Sequence, residues 1–167
     1  MCRARVSSRR GRLKIVIVGC GRTGAFLAGI LNESDHAVTI IDLDRSAFTH
    51  LPADFKGTTL LGNGTDLEIL RSAGIDQADA VFALTQGDNR NLMAAQIAKQ
   101  VFGVKHVISK VNDPIRANTY RQHGITTISR MTIIGTLLEA LLMGDAEVGK
   151  VLLERSKAHE ARMADAL

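Results

Sequence analysis

Residues 15–24 read IVIVGCGRTG. Four β-branched side chains, which favour an extended backbone, run directly into three glycines spaced Gly19-x-Gly21-x-x-Gly24. An amphipathic segment, TGAFLAGILNES, follows. Three such glycines alone can be no more than a corner, but strand, glycine turn and helix in this order are the context of a dinucleotide fingerprint. In that reading Gly19 permits the tight turn and Gly21 removes the side chain that would block a pyrophosphate. Gly24, with Ala25 and Ala28, lets the helix lie close to the sheet. Phosphate charge would then meet free N–H groups and the positive end of the helix. Cys20 reads as a small filler of the loop rather than a nucleophile, since no His or acid stands in a partner pattern. Arg22, beside Thr23, places a guanidinium either within reach of phosphate oxygens or in solvent on the first turn.

The fingerprint needs an acid about 20 residues on, and Asp42 ends the next apolar run, AVTIID. Its carboxylate is expected to accept both ribose hydroxyls of an adenosine and to repel a 2′-phosphate. That favours NAD or an adenine nucleotide over NADP. Leu43, Asp44 and Arg45 follow, and Arg45 would soften that preference.

Working outward, short β-rich runs alternate with helical segments along the chain. The runs are LKIVIVG, AVTIID, TTLLG, DAVFALT, HVISKV and TTIS. Most are continuously apolar, as parallel strands covered on both faces should be. Between them lie TGAFLAGILNES, DRSAFTHLP, DLEILRSAG, NRNLMAAQIAKQVFG and DPIRANTYRQHG, each read as a helix. Asp113 and Pro114 suit an N-cap and first helical position, and Gly74, Gly103 and Gly124 stand at helix stops. The expected fold is α/β, a Rossmann-like doubly wound parallel six-stranded sheet in the order 3-2-1-4-5-6, with a C-terminal helical extension. LGNGTD, ending the third strand, brings Asn63, Gly64, Thr65 and Asp66 to the carboxyl edge, where such sheets bind ligands. Asn63 and Asp66 are placed to face an adenine, and Asp66 is as good an N-cap. Thr85 and Gln86 end strand four beside the ribose and phosphates. Lys110 ends strand five, as a charge for a phosphate or as a surface lysine. After the last strand, Ile133, Ile134, Leu137, Leu138, Leu141 and Leu142 form a broad apolar helical face that packs onto the sheet or against another subunit.

Composition narrows the functional classes. The formal charge of +4 belongs to the first 14 residues, which hold six of the 21 Lys and Arg and no acid. The pI therefore describes a tail, expected to be a disordered leader over residues 1–12. Tryptophan is absent and aromatics are few, which disfavours stacking platforms for single-stranded nucleic acid. Two cysteines and scattered histidines give neither a disulfide framework nor a zinc pattern. No metal ligand set and no catalytic residue stands out.

Beyond the fingerprint, four motifs carry a resemblance: KIVIVGCGRTG, VTIIDLDRSAF, LLGNGTDLEILRSAGIDQADAVFALTQGDNRNLMAAQIAK and VISKVNDP. The third is the most specific, with its Gly-x-Gly-Thr-Asp turn, Ala-Gly-Ile helix stop and the acid and asparagine that follow strand four. Over about residues 13–143 the sequence resembles the RCK or KTN N-terminal domain typified by the TrkA potassium-uptake regulatory family. The resemblance implies a cytoplasmic, non-enzymatic regulatory domain that pairs with itself as a homodimer or larger ring. It implies binding of NAD(H) or of ATP, ADP or AMP, and transmission of nucleotide state to a membrane potassium transporter or channel. The implied ligand positions are Gly19 to Thr23, Asp42, Thr85 with Gln86, and Lys110. The chain departs from some ATP-binding members by reading SRMT where they carry an acid after the last strand. The family's second lobe is represented after Asp145 only by a short helical segment, so residues 144–167 are read as an extension. A stand-alone member, a paired subunit and a fragment all remain open.

Two other functions share the glycine fingerprint. An NAD-dependent oxidoreductase would also need a substrate pocket and a proton donor, usually from a further domain. An NAD(H)-responsive DNA-binding redox sensor would need a DNA-reading module, and only MCRARVSSRRGR precedes the first strand. Nucleic acid is not an expected partner.

Overall fold

A computed structural model describes residues 11–144. The basic leader therefore lies largely outside the described residues, as does the extension after Gly144.

Six parallel strands form one sheet in the order β3-β2-β1-β4-β5-β6, as the alternation predicts. They are β1 Lys14–Val18, β2 Ala37–Asp42, β3 Thr58–Leu61, β4 Ala80–Ala83, β5 His106–Lys110 and β6 Thr126–Ile128. β1 pairs with β2 through Val16 opposite Thr39 and with β4 through Val16 opposite Val81. The helices are α1 Arg22–Glu33, α2 Leu67–Ser72, α3 Asp88–Gln96, α4 Pro114–Gln122 and α5 Arg130–Met143.

The direction of each crossover decides which face a helix covers. From β1 the chain winds outward to β3, so α1 lies on one face. There Ile15, Ile17, Val38 and Ile40 pack with Ala25 and Ala28. It then returns to β4 and winds the other way through β5 to β6, which puts α2, α3 and α4 on the opposite face. Val16, Val18, Ile41, Val81 and Val107 pack there with Leu70, Ala94, Ala95 and Ile125. Ile17, Ile40, Ile41 and Val81 are fully buried, each worth about 1.5–3 kcal/mol of transfer free energy. Gly74, Gly103 and Gly124 adopt the left-handed conformation that ends a helix. Asp113 caps α4, accepting from the N–H groups of Ile115 at 2.9 Å and Arg116 at 3.2 Å.

The structure corrects one helical expectation and sharpens two others. DRSAFTHLP forms a 3-10 turn, Arg45–His50, capped by Asp44. Only seven residues separate that cap from Pro52, so an α-helix there would leave nearly as many backbone groups orphaned as it satisfied. The segment predicted over 89–103 begins as α3 and widens into a π turn at Ile97–Val101. The α5 face does not pack onto the chain's own sheet. No residue of α5 is buried, and Ile134, Leu138 and Leu142 are exposed. On the same side of the sheet as α1, Ile108 of β5 and Ile128 of β6 stay half-exposed.

Candidate functional site

β1 and β4 are neighbours whose following helices leave toward opposite faces, and a crevice opens at their carboxyl ends. It measures ≈ 370 Å³, within the range of small-molecule sites. Its walls come from the loops after β1, β2, β3 and β4.

The three glycines of the first loop do different work. Gly19 has φ +106°, and a Cβ there would lie 2.8 Å from the Thr85 nitrogen, so the loop can pass β4 only with glycine. A Cβ on Gly24 would overlap the Gly19 carbonyl oxygen, so α1 can press against the loop only with glycine. Gly21 is unlike both. Its φ is −69°, and nothing lies within 4 Å of a Cβ placed there. The fold does not require glycine at 21, but an open cleft wall does.

Asp42 is half-buried at the end of β2. Its Oδ2 accepts from the Cys20 N–H at 2.6 Å and its Oδ1 from the Asp44 N–H at 3.0 Å. The carboxylate thus ties the glycine loop to β2, and each oxygen keeps further lone-pair capacity toward the cleft. The sequence expectation gave both oxygens to ribose hydroxyls alone, and the latching role was not legible. Cys20 contributes its N–H to this latch while its side chain is fully buried in the core, as a filler should be. Burial, then the Asp42 charge, push its thiol pKa up to about 11.

Gly19, Gly21, Asp42, Leu43, Asp44, Asn63, Gly64, Thr65, Thr85 and Gln86 all line the cleft. Asp44 is held below the ordinary carboxylate range by hydrogen bonds from the Ser46 hydroxyl and N–H. Asn63 turns its Oδ1 to the Thr65 N–H and hydroxyl, at 3.1 and 2.9 Å, steadying that loop. The remaining expected residues stand apart from the lining. Arg22, Thr23 and Arg45 are exposed outside it, and Gly24 is buried beneath it. Asp66 acts as the α2 N-cap, accepting from Glu68 at 2.8 Å and Ile69 at 3.4 Å. Lys110 is only 7 % exposed and sits one strand beyond the cleft. Burial lowers its pKa, with Arg130 adding to the effect and Asp88 opposing it.

Asn91 of α3 organises the far wall. Fully buried, its Oδ1 accepts from the Thr85 N–H and hydroxyl, both at 2.7 Å. Its Nδ2 donates to the Thr85 carbonyl at 3.1 Å and the Lys110 carbonyl at 2.9 Å. One side chain thereby fixes the ends of β4 and β5. Ser46, Ala47, His50 and Arg90 also line the cleft, and sequence reasoning missed all four.

The helix termini sort in the same way. α2, α4 and α5 receive side-chain caps from Asp66, Asp113 and Ser129. α1 and α3, whose N-termini flank the cleft, begin at Gly21 and Gly87 with no side-chain cap. Their first N–H groups suit an anion.

The family model described as the TrkA-N domain matches residues 15–130, a span that contains the cleft. This chain belongs to the TrkA-N domain family. A Trk system potassium uptake protein TrkA of Streptomyces coelicolor is 40 % identical over 136 residues, covering 81 % of this chain and 61 % of the relative. A TrkA homolog of Methanothermobacter thermautotrophicus is 28 % identical over 164 residues, covering 90 % of this chain and 76 % of its own. The chain thus spans about three-fifths of the Streptomyces relative. Among solved structures, the TrkA-N domain of the inner membrane protein ybaL from Escherichia coli superposes with TM-score 0.70 at 19 % identity, covering 79 % of this chain and 98 % of that one. The Kef CTD of Shewanella denitrificans in its AMP-bound form gives 0.65 at 16 %, covering 92 % and 95 %. The GsuK channel bound to NAD gives 0.59 at 18 %, covering 72 % and 22 %. At these identities the structures establish the shared TrkA-N fold.

Proposed function

We propose that this TrkA-N domain binds NAD(H) or an adenine nucleotide in the cleft and passes the nucleotide state to a membrane potassium transporter or channel. The observation that carries the reading is Gly21. Glycine there is unnecessary for the fold, yet it keeps a wall open beside the Asp42 carboxylate and the uncapped start of α1. Ribose hydroxyls toward Asp42 and phosphates toward Gly19–Gly21 satisfy both groups at once. The names of the TrkA relatives support the potassium link, and the NAD-bound and AMP-bound neighbours support the ligand class.

The reading is one of binding rather than turnover, with no residue assigned to catalysis. Signalling then requires that the ligand favour one arrangement of subunits through its difference in affinity. The α5 face, with the half-exposed Ile108 and Ile128, is the surface we assign to a second copy in a dimer or ring. We place that assembly on the cytoplasmic face of the membrane, held by its partner. Among the described residues, no helix is long and apolar enough to cross a bilayer.

Calorimetry with NAD+, NADH, ATP, ADP and AMP tests the reading, alongside mass spectrometry of ligand released from the purified chain. At least one of the five is expected to bind below millimolar concentration. Binding by none of them at millimolar concentration overturns it.

A further inference from the structure

The two ends of the cleft carry opposite charge. Asp42 and Asp44 line the β2 end, and Arg90, from the first turn of α3, lines the β4 end with Thr85 and Gln86. Arg90 makes no hydrogen bond or ion pair among the described residues. Its Nε lies 3.9 Å from the position a Cβ would take on Gly87, so the side chain folds back over the β4–α3 loop.

A cation in the first turn of a helix works against the helix dipole. The acid of that turn does not pair with Arg90, because the Asp88 carboxylate is committed elsewhere. It accepts from the Asn112 N–H at 2.9 Å, the Asn112 amide at 3.3 Å and the Asp113 N–H at 3.1 Å, all across the β5–α4 connection. Other nearby cations are occupied or displaced. Arg116 is paired with Asp113 and donates to Asn89, Lys110 is buried, and Arg22 stands outside the lining. Arg90 is thus an unpaired guanidinium, in an electrostatically unfavourable position, facing the cleft.

We infer that Arg90 sets the specificity of this cleft, selecting ligands that carry a diphosphate over those with a single phosphate. The inference rests on the nucleotide reading above. With the ribose at Asp42 and the first phosphate against the glycine loop, a further phosphate extends toward β4 and α3. There the planar fork of an arginine matches phosphate oxygens in pairs. AMP ends before that point, whereas ADP and the pyrophosphate of NAD+ reach it.

Calorimetry at fixed ionic strength with AMP, ADP and NAD+ tests this on the wild-type chain, Arg90→Gln and Arg90→Lys. Arg90→Gln is expected to weaken ADP and NAD+ by about tenfold or more, the scale of a lost charge-assisted hydrogen bond, and AMP by less than about twofold. Arg90→Lys should fall between, since it keeps charge without the fork. Equal losses for AMP and ADP would make Arg90 a general contributor to the fold or field, and unchanged ADP affinity would put the second phosphate elsewhere. Either overturns the inference while leaving the nucleotide reading in place. Binding of none of the three by the wild-type chain would overturn the inference, and only the further failure of NADH and ATP would remove the nucleotide reading with it.

Discussion

Asp42 and Asn91 each stitch a loop to the carboxyl edge of the sheet, one on either side of the β1–β4 boundary. Asp42 is charged and half-buried, and two backbone N–H groups occupy only part of its acceptor capacity. Asn91 is neutral and fully buried, and its amide is satisfied on both donor and acceptor sides by Thr85 and Lys110. A buried side chain with every polar group paired specifies structure. A side chain that does the same job with capacity to spare, at the edge of a cleft, is equipped to hold something more. Both are latches, and the unused valence separates the binding latch from the structural one.

Substitutions can pull that distinction apart. The largest effect is expected at Gly21→Val, which should abolish nucleotide binding in calorimetry. Its stability cost should stay within about 1 kcal/mol, the scale of exchanging a glycine N-cap for a β-branched residue. Gly24→Val is the control, and it should prevent folding, because its side chain would have to occupy the Gly19 carbonyl. A nucleotide bound to Gly21→Val would overturn the assignment of the cleft. Next, Asn91→Ala should lower stability in urea titration by about 2–4 kcal/mol, since the Thr85 N–H and two carbonyls lose their partner. Asp42→Ala should weaken adenosine ligands by about 1–3 kcal/mol, with a smaller loss of stability as the Cys20 and Asp44 N–H groups lose their acceptor. If Asn91→Ala cost affinity and not stability, or Asp42→Ala the reverse, the contrast would fail.

A smaller effect follows from the thiol under the latch. Cys20 titrates at about 11 in the folded chain against an ordinary value of 9.0. Between those values the unfolded chain gives up its proton first, so its contribution to stability is complete below pH 9 and is lost as pH rises through 11. Denaturant midpoints measured across that window should fall for the wild type and fall less for Cys20→Ala. At the α5 surface, Leu138→Glu should shift the chain toward monomer in analytical ultracentrifugation.

Much of this was legible in the sequence, for identifiable reasons. Continuous β-branched runs such as IVIV and AVTII read as strands covered on both faces, and their alternation with helices pointed to a doubly wound parallel sheet, whose commonest strand order is the one observed. The glycine spacing located the cleft because backbone approach leaves a compositional mark. Shared hydrogen bonds leave none. Nothing in the residue types said that Asp42 would hold the Cys20 N–H, or that Asp66 would resolve as a cap. Lys110 stands one strand beyond the cleft, because the end of a strand specifies depth along the sheet, whereas the cleft spans only the strands around the β1–β4 boundary. Arg90 did leave a signal: an arginine in the first turn of a helix whose start has no capping residue. The π turn after Gln96 had no comparable mark.

The helix after β6 has a consequence for how the molecule behaves when heated. Its 14 residues include no buried side chain, so unfolding it exposes little new apolar surface and adds little to the heat-capacity change. A chain ended at Ser129 should therefore melt at nearly the temperature of the longer chain held monomeric by dilution, and should lose any rise of melting temperature with protein concentration. What shortening should remove is stickiness, because the thermal integrity of the sheet and the tendency to self-associate reside in separate stretches of sequence.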